Sequence, residues 1–345
     1  MCKTIAPPAI AQERGYTKLV FEDDFESLDT IDVNATGKEG YKWYVRRPYK
    51  ATTLTADDFS IKGSVLTLHE NDSLYNYGLA TVDAHNGIGF TFNKGVLEFR
   101  VRVPFYDQEM RNYRVPGGGG PAVWSFPREK IYEWEGNYTP QWVETDWMEY
   151  WGDLDMFPQG HYTITLHESI RAKDENGDYM HKEMVQKHSL GKERHQNGFH
   201  DGLWHTMTFL WEDNLLVGYF DGNEVLRMEY GKDQLGDPLP RVAKGEQMVG
   251  AFSFMNQQEL ALIISGAKCN TMEIDWIRVW QKRFAYKKRV TLGNTLFCYI
   301  LTLMEEIRIS PATTLSSAAK PSAKLSEYRI WALGGNSSSP AQARI

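Results

Sequence analysis

Between residues 16 and 281 apolar and polar side chains alternate in short runs, and no segment sustains an apolar period of 3.6. In residues 96–103, Leu97, Phe99, Val101 and Val103 fall on one side while Glu98, Arg100 and Arg102 fall on the other. That period of two marks a half-buried antiparallel strand. Similar alternating or apolar runs lie at 18–25, 65–69, 162–167, 205–211, 215–220 and 273–280. The dipeptides Asn86-Gly87, Asn176-Gly177 and Asp221-Gly222 sit where hairpins need positive φ. Many short strands joined by turns predict an all-β fold, a two-sheet sandwich of jelly-roll type.

The pattern divides the chain into an N-terminal extension (1–15), a β-sandwich domain (16–281) and a C-terminal tail (282–345). Residues 282–289 are basic and 310–345 are dominated by Ser, Ala, Pro and Gly. With few apolar anchors and no strand alternation, the tail reads as mobile or loosely docked. Pro116 followed by Gly117 to Gly120 is a flexible loop; it lacks the Gly-Lys-Ser/Thr ending of a phosphate-binding loop.

Composition narrows the partners. The formal charge of −7 on 345 residues, with no dense Lys/Arg stripe, speaks against nucleic acid and against an acidic membrane surface. The longest apolar stretch, Leu296 to Met304, is too short to cross a membrane and is interrupted by Thr302. The first 15 residues hold two prolines and the charges Lys3, Glu13 and Arg14, so no signal peptide is visible. Three cysteines, Cys2, Cys269 and Cys298, are too few and too far apart for a disulfide framework, and no Cys/His cluster has zinc-finger spacing. Aromatic residues are abundant, with 11 Trp, 18 Tyr and 16 Phe. Most belong in a core, and some suit a sugar cleft, where flat rings stack on pyranose C–H groups.

The segment Trp142-Val-Glu144-Thr-Asp146-Trp-Met-Glu149-Tyr-Trp151 carries the candidate chemistry. In a regular strand Glu144 and Asp146 share a face and Glu149 points the other way. One extra residue near Trp147–Met148, a β-bulge, returns Glu149 to that face together with Trp142 and Trp151. A face of three carboxylates between tryptophans makes a poor core, because buried like charges are costly, and a good floor for an open groove. With 45 acidic residues in 345, three acids at one spacing arise roughly once by chance. Glu273-Ile-Asp275-Trp-Ile-Arg278 indeed nearly repeats the pattern, with Arg in the last place. The strand context and the flanking tryptophans distinguish the first set.

At these residues the chain resembles glycoside hydrolase family 16. Glu144-Thr-Asp146-Trp-Met-Glu149 matches its E-x-D-x-x-E signature in the bulge-bearing form of the laminarinase-like and agarase-like branches. Phe21-Glu-Asp-Asp-Phe25 is similar to the opening strand, Gly95-Val-Leu-Glu98-Phe-Arg100 to the G-x-x-E-x-R strand, and Pro121-Ala-Val-Trp124-Ser-Phe126-Pro127 to the P-A-F-W-L-x-P element. Trp204-His205 to Asp221-Gly222 resembles the W-H-x-Y…D-G hairpin, and Asp275-Trp-Ile-Arg278-Val-Trp280 the closing D-x-x-R-V-Y strand. Thr145 stands where the family usually carries Ile, Leu or Val, a change expected to affect packing rather than chemistry.

The resemblance implies a concanavalin A-like jelly roll of two antiparallel sheets, with a substrate groove across the concave sheet. It also implies retaining endo-hydrolysis of a polysaccharide, with Glu144 as nucleophile, Glu149 as general acid/base and Asp146 between them. In such enzymes the two principal carboxyls lie about 5–5.5 Å apart. Three clustered carboxylates cannot all ionise cheaply, so at least one stays protonated near neutral pH. A β-1,3 or mixed β-1,3/1,4-glucan is the first expectation for the substrate and an algal galactan the second. A non-catalytic, lectin-like carbohydrate-binding protein and a transglycosylase are the alternatives.

Trp142, Trp151 and Trp124 are candidate sugar platforms, and Trp134 a candidate groove wall. His167, alternating with Thr163 and Thr165 in His161-Tyr-Thr-Ile-Thr-Leu-His167, is a candidate groove-facing hydrogen-bond partner of the sugar or the nucleophile. The family's structural calcium suggests Asp275 as a ligand; hydrolysis itself requires no cofactor. A polymer substrate implies an extracellular or periplasmic site of action, and a monomer is expected.

Overall fold

A computed structural model of the chain describes residues 5–46, 53–69, 78–103, 121–132, 141–151, 161–173, 179–188, 199–213, 215–229, 258–266, 271–283, 286–292 and 295–301. The strands in chain order begin with β1 (Lys18–Asp23), β2 (Ile31–Asp32), β3 (Trp43–Tyr44), β4 (Phe59–Ile61), β5 (Leu66–Leu68) and β6 (Leu79–Ala80). They continue with β7 (Gly95–Arg102), β8 (Ala122–Pro127), β9 (Gln141–Trp151), β10 (His161–Lys173), β11 (Tyr179–His188) and β12 (His205–Glu212). The last are β13 (Leu215–Phe220), β14 (Asn223–Glu229), β15 (Leu260–Ser265), β16 (Met272–Gln281), β17 (Tyr286–Leu292) and β18 (Thr295–Leu301). The short helices α1 (Ala9–Arg14) and α2 (Arg128–Ile131) complete the list.

The fold is an all-β sandwich. One eight-stranded sheet runs β14-β13-β12-β7-β16-β5-β4, with β1 also paired to β16; the other runs β11-β10-β9-β8-β15-β6-β3-β2. Their pairings are antiparallel except for β2 with β3. All the runs anticipated from alternation are strands. Between the sheets Leu97, Phe99 and Val101 of β7 meet Val143, Trp147 and Met148 of β9, Ile164 and Leu166 of β10, and Leu262 and Ile264 of β15. Asp221 and Gly222 form the two-residue hairpin turn between β13 and β14 with φ of 47° and 79°, the left-handed pair that matches strand twist. Asn176-Gly177 and the Pro116–Gly120 loop lie outside the described residues.

The motif residues are explained by what they hold. Asp23 is buried; its Oδ1 accepts from the Phe25 N–H (3.0 Å) and its Oδ2 from the Trp43 indole (2.8 Å). This fixes Phe25 at φ 48° beneath Trp43. Gly95 opens β7 at φ 140°, where a Cβ would come within 2.3 Å of the Trp280 carbonyl. His205 is buried with Asp221 at Nδ1 (2.7 Å) and Asp201 at Nε2 (3.0 Å), tying the β12 start to the hairpin turn.

Two segments flank the sandwich. The N-terminal extension is docked: α1 presses Ala11 and the following Tyr16 onto Val96, Leu210, Val217 and Trp280, the side of the first sheet facing away from the core. Six residues are too few to show a helical period in sequence. The tail is not devoid of strands, because β17 and β18 pair as an antiparallel hairpin. They belong to a second compact unit, Ala285–Ile345, distinct from Met1–Phe284. Residues 302–345 lie outside the described ones.

Replacing Asp23 with Ala removes the acceptor of two buried donors, each costing roughly 1–3 kcal/mol when left unpaired. The expected loss is about 2–6 kcal/mol of stability, read from the urea midpoint of tryptophan fluorescence.

Candidate active site

Strand β9 is flanked by β10 and β8, and both ladders skip at the same place. Against β10, Glu149 faces Thr163 and Asp146 faces Thr165, so Trp147 and Met148 together oppose Ile164. Against β8, Met148 faces Val123 and Asp146 faces Trp124, which leaves Trp147 as the extra residue. The anticipated bulge is therefore present. Trp147 and Met148 both point into the inter-sheet core with Val143 and Tyr150. Glu144, Asp146 and Glu149 take the opposite face, with Trp142.

The carboxylates differ in environment. Asp146 is buried, and its Oδ2 lies 3.2 Å from the His167 Nε2. His167 stands opposite Glu144 in register, on the same face as Thr163 and Thr165. Glu149 accepts a hydrogen bond from the Thr163 hydroxyl (3.3 Å). Burial pushes its carboxyl up to about 8, and the Asp146 carboxylate adds to the rise; a charged His167 and the Thr163 hydroxyl oppose it. A carboxyl so raised is protonated at neutral pH and can donate a proton. Glu144, on the same face, is half-buried.

The rest of this face is largely apolar. Ala122, Trp124, Phe126, Trp142, Ala80, Val82, Ala261 and Ile263 form a second cluster, completed by Ile131 of α2 and by Ala84. Trp124 is 5% exposed, packs edge-on against Phe126 at 4.7 Å and donates its indole N–H to the Ser265 hydroxyl (2.7 Å). Trp142 is 4% exposed, with the Lys130 ammonium 3.9 Å from its ring centre. Both indoles pack within the protein, because α2 and the segment around Ala84 join this cluster. Trp151 ends β9 opposite His161, and its side chain is outside the described set; Trp134 is outside the described residues altogether.

Two buried residues went unanticipated. Lys130 sits in a four-residue helix whose polar sequence gives no sign of burial. Ser125 faces Thr145 in register on the core side and accepts the Trp147 indole N–H (2.7 Å). A hydroxyl thus lies beside the position where the sequence departs from an aliphatic pattern, and all three residues are fully buried.

Asp275, the suggested calcium ligand, is paired with a cationic side chain. It falls at the irregularity of β16 between Ile274 and Trp276, and its Oδ2 is paired with the Arg100 guanidinium at 2.5 Å. Among the described residues no group of three or more His, Cys, Asp or Glu could hold a metal ion. Among them, too, no helix is long and apolar enough to cross a membrane.

No family model matches the chain, and no curated protein does. Solved structures resemble it. LamAcat from Zobellia galactanivorans is 16% identical over 78% of this chain and 99% of its own, with a TM-score of 0.44. Porphyranase B from the same organism is 13% identical over 76% and 92%, with a TM-score of 0.42. SCLam, a non-specific endo-β-1,3(4)-glucanase from family GH16, is 18% identical over 77% and 91%, with a TM-score of 0.39. At these identities and scores the likeness assigns no activity, which has to come from the side chains themselves.

The pairing of Asp146 with Glu149 has a measurable sign. The Glu149 carboxyl is protonated below about 8 and loses its proton as pH rises through that value. Asp146→Asn removes the neighbouring negative charge, so the Glu149 titration is expected to move to lower pH. A ¹³C-carboxyl NMR titration of the two proteins checks this.

Proposed function

We propose that this protein is a retaining endo-β-glycoside hydrolase. The observation that carries the reading is the β9 bulge. It sets Glu144, Asp146 and Glu149 on one face, with Glu149 held protonated at neutral pH. In this reading the Glu144 carboxylate attacks the anomeric carbon. The bond to the leaving sugar oxygen breaks, and that oxygen takes the Glu149 proton. A water then gives its proton to the Glu149 carboxylate, and its oxygen displaces Glu144 from the sugar.

Asp146 serves both steps. Its charge raises the Glu149 carboxyl, and its contact with His167 anchors the row. Thr163, donating to Glu149, holds the acid's side chain in place. No metal or organic cofactor enters these steps.

A neutral polymer fits the chain's net negative charge and the three acids of the site. The substrate we infer is a β-1,3 or mixed β-1,3/1,4-glucan, with an algal galactan second, in line with the motif resemblance. A polymer of that kind is met outside the cytoplasm. A lectin-like role gives no use for a carboxyl kept protonated next to two others.

The test is reducing-end release from laminarin, lichenan, xyloglucan, agarose and carrageenan. Glu144→Gln is expected to lower turnover of the best substrate by about a thousandfold or more, as loss of a nucleophile does. Wild-type turnover in that variant would overturn the mechanism. Binding of glucans without cleavage by wild type would move the lectin reading ahead.

A further inference from the structure

Glu149 shares a face with Glu144 and Asp146 only because β9 has one residue more than its neighbours between Asp146 and Glu149. An extra residue before Asp146 would separate it from Glu144, and one after Glu149 would leave that carboxyl in the core. Trp147 and Met148 are the two positions compatible with the site, and the ladder to β8 selects Trp147.

A bulged residue lacks a partner in the ladder, so something else must fix it. Trp147 is wholly buried, with its ring against Phe209 (5.2 Å between centroids) and Phe92 (6.3 Å). Apolar contacts of this kind are tolerant of small slides and tilts. The indole N–H is not: it donates to the Ser125 hydroxyl at 2.7 Å, in a site where Ser125 is also fully buried. Ser125 lies on β8 opposite Thr145, the last core-facing residue before the bulge. The bond therefore ties the extra residue to the neighbouring strand at the point where the backbone ladder gives out.

We propose that Ser125 and Trp147 are positioning residues for the acid/base. Their hydrogen bond pins the bulge and so sets the distance and tilt at which the Glu149 proton meets the leaving oxygen. Neither residue touches the substrate, since both lie on the core side of the sheet. The proposal rests on the acid/base role given to Glu149 above. Small misplacements of a catalytic group carry large rate penalties.

The experiment compares Ser125→Ala, Trp147→Phe, their double variant and Glu149→Gln with wild type, in the full chain. The probes are phenyl and 2,4-dinitrophenyl β-glycosides of the disaccharide released from the best polysaccharide. The quantity is kcat/KM, which reports formation of the glycosyl-enzyme. Dinitrophenolate leaves without a proton and phenolate needs one.

Each single variant is expected to lose about tenfold or more on the phenyl glycoside and less than about twofold on the dinitrophenyl one. The double variant should be no worse than the more damaged single, because one bond is removed either way. Ser125→Thr, which keeps an acceptor hydroxyl, should restore the phenyl rate. Equal losses on both glycosides would show a merely structural role and overturn the pin, as would unchanged rates on both. If Glu149→Gln itself did not discriminate between the leaving groups, the acid/base reading would fail rather than the pin. Absence of wild-type turnover on every probe and polysaccharide would remove both.

Discussion

The site depends on one departure from strand geometry. A strand alternates its side chains strictly, so acids five positions apart cannot share a face without an extra residue between them. In this protein the extra residue is Trp147, skipped by the ladder to β8 and left with Met148 against a single residue of β10. Everything proposed for the chemistry follows from that local miscount. It places a third acid beside two others, and burial and the neighbouring charge then keep its proton on at neutral pH.

The core supplies the force that keeps the miscount. Trp147 and Met148 are consecutive, yet both are buried between the sheets. Full burial of a large apolar side chain is worth about 1.5–3 kcal/mol, whereas a ladder hydrogen bond contributes about 1 kcal/mol net. Flattening the strand would turn one of the two out onto the acid face and drive a carboxyl into the core. Both changes are costly. The arrangement of the acids is thus a consequence of how the opposite face packs.

How far this was legible in the sequence depends on the range of the interaction. The strands and the bulge could be read because they are local: period two in β7, and the parity of Glu144, Asp146 and Glu149 in β9. The Asp221-Gly222 turn was legible for the same reason. The burial of Trp124 and Trp142 was not. It arises where α2 and Ala84 join the apolar cluster on the acid face, and neither carries a periodic signal of its own. The docking of α1 and the hairpin of β17 with β18 escaped in the same way. The pairing of Asp275 with Arg100, 175 positions apart, is likewise beyond any local pattern.

The face that bears the acids is therefore built in two parts. Toward β8, β15 and β6 it is a small apolar core, with α2 contributing Ile131 and the buried Lys130. Toward β10 it is polar, with Thr163, Thr165 and His167 opposite Glu149, Asp146 and Glu144. The division is what the acids require. Burial raises the Glu149 carboxyl, which accepts from the Thr163 hydroxyl, while the His167 imidazole lies against the Asp146 carboxylate. Were both flanks apolar, three carboxyls could not be kept there at all. Strand β9 lies at the boundary between the two, and its position in the sheet, as much as its sequence, sets the surroundings of each acid.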